Sequence, residues 1–87
     1  MTDRDIYDPA TADKTLARLE QHVCAIEDGL VAAADREQVH RVWTGARSLL
    51  NALSLHYLNT YSPICLACWD LAKRLHKARI DKWEALA

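Results

Sequence analysis

Cys65 and Cys68, in the segment Ser62-Pro63-Ile64-Cys65-Leu66-Ala67-Cys68, are the residues of this sequence best suited to chemistry. Two thiols three residues apart on a helix face the same way, as two ligands of one metal or the halves of a redox pair would. Ser62-Pro63 is a helix-start signature, with a cap followed by Pro in the first helical position. Both thiols are therefore expected in the first two turns, where free amide groups and the helix dipole favour a thiolate and lower a cysteine pKa. Zinc asks for about four ligands. At about 1.5 Å of rise per residue, His56 falls close to Cys65, while Cys24, His22 and His76 fall roughly 10–15 Å away. Cys65, Cys68 and His56 are thus a three-ligand candidate with no fourth member. The competing expectation is packing, because free cysteine behaves as a small buried hydrophobe. Packing is the reading adopted, with no metal and no cofactor.

Other catalytic arrangements do not emerge. A thioredoxin-like site needs a βαβ pattern around its cysteines, and none is present. The motif resembles that of the peroxidase-like helical proteins of the AhpD family, which carry Cys-x-x-Cys on a helix. Their His four residues beyond the second Cys corresponds to Ala72, so that activity is not carried over. No Ser-His-Asp arrangement or phosphate loop occurs. The chain is read as a non-enzyme.

A second group, His40, Thr44, Arg47 and Asn51, falls on one exposed side of the second predicted helix. The segment from Asp35 to Asn51 resembles histidine-phosphotransfer domains, helical bundles with a reactive His on an exposed face. Their His is followed by Lys at plus three and Gly at plus four. Counted from His40, those places hold Trp43 and Thr44; with Arg47 in the Lys place, Thr44 stands where the His belongs. The resemblance implies an inactive relative that binds a signalling partner. A plain solvated face is the other reading of the same residues.

The elements that must hold these groups are written in one period. Leu16, Leu19, Val23, Ile26, Leu30 and Ala33 recur at steps of three and four. So do Val39, Trp43, Ala46, Leu50, Leu53 and Tyr57, and again Ile64, Cys68, Leu71, Leu75 and Ala78. Each set makes one stripe of an amphipathic helix. The spacing predicts helices over about 10–33, 36–59 and 63–86, with Asp8 and Pro9 opening the first and Asp35 capping the second. Gly29 weakens the first by roughly 1 kcal/mol relative to Ala. Short connections force antiparallel neighbours. The expected fold is all-α, an antiparallel up-down-up three-helix bundle with long helices, in one domain over 9–87 behind a loose leader, 1–8.

Composition sets the class of partner. The 87 residues carry 11 Lys and Arg against 12 Asp and Glu, a net charge of −1, so neither a basic nucleic-acid binder nor an acidic mimic is indicated. Lys73, Arg74, Lys77, Arg79 and Lys82 make the third helix locally basic, but Asp70, Asp81 and Glu84 interrupt them. Glu37 with Arg41, and Asp70 with Arg74, are spaced as helix-supporting ion pairs. Three cysteines, an odd number, argue against a disulfide scaffold. No signal-peptide pattern or apolar run of roughly 18 residues is seen, so the expected setting is cytoplasmic and not membranous.

The hydrophobic content of 51% exceeds what a bundle this small can bury. On the third helix a second row, Leu66, Trp69, Ile80 and Trp83, lies about 120° from the core stripe. Leu55, Leu58 and Tyr61 join it near the second turn. Apolar clusters with aromatics mark interfaces. The expected function is a small helical protein–protein interaction module, binding a partner or itself as a homodimer through Leu55, Leu58, Tyr61, Leu66, Trp69, Ile80 and Trp83. Cytoplasmic adaptors, inhibitors and phage or bacterial accessory proteins share this profile. The thiol site and the phosphotransfer-like binder are the alternatives.

Overall fold

The structure is a computed structural model that describes residues 9–87; the expected leader and the cap Asp8 lie outside the described residues. Among these the protein is all-helical: α1 is Pro9–Ala32, α2 Arg36–Gly45, α3 Arg47–Tyr57 and α4 Cys65–Ala85. Four helices therefore stand where the sequence period predicts three. The second predicted helix is divided at Ala46, whose ψ of −3° is far from the helical value. Its N–H is shared between the carbonyls of Val42 (3.1 Å) and Trp43 (3.0 Å), a locally tightened turn. The cause is local. The Thr44 hydroxyl donates to the His40 carbonyl at 2.9 Å, a back-bond that bends helices, and Gly45 follows. The apolar period runs straight through this join, so it could not signal the division.

Turn chemistry matches the sequence at the first connection and departs from it at the second. Asp35 caps α2 by accepting from the Gln38 N–H (2.8 Å), and Gln38 Oε1 accepts from Ala34 N–H (2.8 Å). At the second connection α4 opens at Cys65, two residues later than Pro63 implied, and its cap position is Ile64 with no side-chain cap. Ser62 is turned inward and buried instead.

Cross-helix contacts give the chain direction. Arg74 pairs with Glu27, and Lys82 Nζ donates to the Val31 carbonyl (3.0 Å), so α1 and α4 run the same way. Arg36 meets Trp83, Trp43 meets His76, and Tyr57 meets Trp69, so α2 and α3 run opposite to α4. The Arg74 pairing corrects one expectation: its carboxylate comes from α1, and Asp70 faces Lys73 at 3.9 Å. The Glu37–Arg41 pair forms at 2.7 Å.

One core cluster joins Ala12, Leu19, Val23, Leu49, Leu53, Ile64, Cys68, Leu71, Ala72 and Leu75; a smaller one joins Leu30, Ala33 and Val39. Fully burying each Leu or Val contributes about 1.5–3 kcal/mol. The core line on α2 and α3 is Val39, Ala46, Leu49, Leu53 and His56, while Trp43, Leu50 and Tyr57 sit half-buried at its edge. The body measures 45 × 19 × 15 Å. Every helix keeps exposed positions along its length, so no helix is enclosed on all sides.

Candidate functional site

The cysteine motif is built into the α3–α4 corner as packing. Cys68 is fully buried in the main core, and Cys65 is half-buried. The Cys65 thiol donates to the Tyr57 carbonyl at 3.5 Å, satisfying one of the open carbonyls at the end of α3. Burial, with the neighbouring Cys65 adding to it, pushes the Cys68 thiol up to about 11. A helix start by itself would lower a thiol here. Burial wins at Cys68 because removing the thiolate from water costs more than the dipole returns. Among the described residues, no group of three or more His, Cys, Asp or Glu could hold a metal ion.

His56, offered as the third ligand, has another partner. Its ring is buried, with Nδ1 3.0 Å from the hydroxyl of buried Ser62. Burial lowers the His56 pKa, favouring the neutral ring. The neutral ring and the Ser62 hydroxyl share one hydrogen bond at Nδ1, with the donor set by the ring tautomer, and Ser62 Oγ accepts from the Ile64 N–H at 3.4 Å. The result is a small polar clamp beneath the 58–64 turn. A buried histidine at a core register position was the residue that periodicity missed, because apolar stripes are counted on apolar types.

Above this clamp the surface is apolar. Leu55, Leu58, Tyr61 and Leu66 protrude with 74–88% of their surface in the open. Trp69, Ile80 and Trp83 are about half covered, at 46%, 52% and 39% exposed. Val31, which lies off the core stripe of α1, is a further large apolar residue left exposed. Trp69 packs edge-on against Tyr57, with centroids 5.1 Å apart.

Each tryptophan also carries a cation. Arg36 lies 4.7 Å above the Trp83 ring, with its Nε donating to the Trp83 carbonyl at 3.1 Å. Arg79 lies 4.9 Å from the Trp43 ring, which His76 contacts at 5.1 Å. Lys73 lies 5.7 Å over Trp69. Such contacts contribute about 0.5–1 kcal/mol each at exposed sites.

The proposed phosphotransfer face is less built. His40, Thr44, Arg47 and Asn51 are all exposed, and the Thr44 hydroxyl is committed to its own helix. A separate apolar groove of about 350 Å³ opens between α1 and the α2–α3 join, lined by Leu19, Ile26, Gly45 and Leu49 with Arg18 and His22 at its edge. No helix among the described residues is long and apolar enough to cross a membrane. Comparison with protein families, with characterised proteins and with solved structures finds no match.

Proposed function

We propose that the protein is a non-enzymatic helical interaction module, a three-helix bundle in which α2 and α3 act as one bent helix. Its working surface is the outward side of α4 with the α3–α4 turn, and its occupant is another protein chain, a second copy or a different one. The observation that carries this reading is the open position of Leu55, Leu58, Tyr61 and Leu66 around a turn held from below by the buried His56–Ser62 contact and the half-buried Cys65 thiol. Four large apolar side chains held in water on a rigid corner cost hydration free energy of roughly 25 cal/mol per Å² that the bundle does not recover by itself. Covering them by a partner would recover it, minus the costs of association.

The test replaces Leu58 and Leu66 together by Glu in the full chain. Both side chains point into open space, so helix content by circular dichroism stays at the wild-type value. Native mass and capture of a partner from the source cell report association. The expected result is association by the wild type and none by the variant. Equal association by the two proteins would refute this surface.

A further inference from the structure

We infer that the outward face of α4 receives an amphipathic helix with acidic flanks from another protein. This rests on the interaction reading above and names the partner's chemistry. Leu66, Trp69, Lys73, His76, Ile80 and Trp83 are spaced three and four apart, and all six are exposed. That is the a/d seam of a coiled coil without its second strand. The other seam of α4, through Cys68, Leu71 and Leu75, is filled by the core. One heptad position of the open seam holds Trp69, His76 and Trp83, about 10 Å apart along the helix. Trp43 contacts His76 from α2, so an indole stands at all three levels. A helix presents its own side chains at this spacing, which an extended peptide does not.

Charge selects the kind of helix. Lys73 occupies the seam itself, and a lone Lys at such a position is costly against an apolar partner; a carboxylate on the partner offsets that cost by charge complementarity. Arg36 and Arg79 flank the seam on the α2 side, and neither has a carboxylate partner among the described residues. Asp70, 3.9 Å from Lys73, and Glu84 are the carboxylates on the opposite flank. Along the sequence, residues 36–87 hold eight Lys and Arg against four Asp and Glu, whereas residues 1–35 hold three against eight. Lys73 in the seam and Arg36 and Arg79 beside it make the surroundings of the open seam basic, which steers an acidic helix towards it.

Two other occupants fit less well. A second copy related by a two-fold axis would set the same cations against each other. A second copy using the carboxylates of its α1 would leave another seam open at every step, an assembly that does not close. Single-stranded nucleic acid needs free ring faces for its bases. Here cations already lie over the indole faces, and Leu66 and Ile80 offer no ring.

The test uses the full chain and two synthetic helices, each roughly three heptads long with Leu at a and d. One carries Glu at the flanking e and g positions, the other Lys. Tryptophan fluorescence and peptide anisotropy measure binding, with a labelled single-stranded oligothymidylate as a third probe. The expected result is roughly tenfold tighter binding of the Glu helix, an advantage that shrinks as salt rises. Lys73→Glu with Arg79→Glu should reverse the preference while circular dichroism stays unchanged. Equal binding of both helices overturns the acidic partner yet leaves the interaction surface standing. Binding of neither helix, tighter binding of the oligonucleotide, or a wild-type dimer by native mass that loses its seam to Leu66→Glu also overturns it. The interaction reading itself falls only if the Leu58 and Leu66 substitutions leave every association intact.

Discussion

Ser62→Ala isolates the clamp that holds the apolar turn in place. Alanine fills nearly the same space, so the substitution opens no cavity and mainly removes the hydroxyl. His56 Nδ1 then loses its partner at 3.0 Å inside a buried site, and the Ile64 N–H loses a longer contact at 3.4 Å. An unsatisfied buried polar group costs about 1–3 kcal/mol, and the longer contact adds little. For a domain of this size each 1 kcal/mol moves Tm by roughly 4–8 °C. Urea unfolding followed by circular dichroism near pH 7.5 measures the loss directly. The clamp has a pH signature too. Burial lowers the His56 pKa below its unfolded value of 6.5, so the unfolded chain binds the proton more readily. Stability is fully present above pH 6.5 and is lost as the pH falls through 6.5 towards the lower folded value. His56→Gln should therefore flatten the stability difference between about pH 7.5 and 5.5 relative to wild type. If Ser62→Ala stays within about 0.5 kcal/mol of wild type, or His56→Gln keeps the full pH slope, the clamp does not support the turn.

Gly45→Ala should raise stability by about 0.5–1 kcal/mol in urea melts, because a new Cβ there meets nothing within 4 Å and the helix gains propensity. Gly29→Ala should gain less or lose, since its Cβ would lie 3.2 Å from Val42 Cγ1 where α1 and α2 approach closely. Timed iodoacetamide labelling near neutral pH, read by mass, should modify exposed Cys24 first, half-buried Cys65 next and Cys68 only with unfolding, because burial pushes the Cys68 thiol up to about 11. Fast labelling of Cys68 in the folded chain would favour the thiol reading of the motif over packing.

Helix existence and the core stripe were legible because burial follows apolar period. Val23, Leu53, Cys68 and Leu75 lie where the spacing puts them, all fully buried. The four-helix count was not legible. Apolar spacing is blind to one hydroxyl, and it is the Thr44 back-bond beside Gly45 that breaks the regular turn. Ser62 illustrates the same limit. A Ser before a Pro reads as a cap, but His56 six residues earlier offered its hydroxyl a buried partner, and the helix began later. The Arg74 partner was hidden as well, because local spacing cannot weigh a carboxylate on another helix against one on its own. The exposed side chains followed from surplus: once each core stripe was assigned, Leu66, Trp69, Ile80 and Trp83 had no place within the bundle, and they are exposed.

The same cations that favour an acidic partner also hold the seam apart from its own copies. Arg36, Lys73 and Arg79 cover indole faces with a charged group, which lets a line of tryptophans face water while two such lines repel. Trp69 is less than half exposed, touches Tyr57 edge-on and lies under Lys73. Its replacement would forfeit an aromatic pair of about 0.5–1.5 kcal/mol and a cation contact of about 0.5–1 kcal/mol, besides the covered area of the ring. A Trp69→Glu variant that failed to bind would thus confuse a weakened corner with a lost contact. Leu66 stands one turn earlier on the same seam, 79% exposed. Leu66→Glu places a like-for-like charge against an acidic helix while leaving the corner intact. It should therefore abolish binding of the Glu helix at unchanged urea midpoint, an outcome that separates docking from folding where Trp69 cannot.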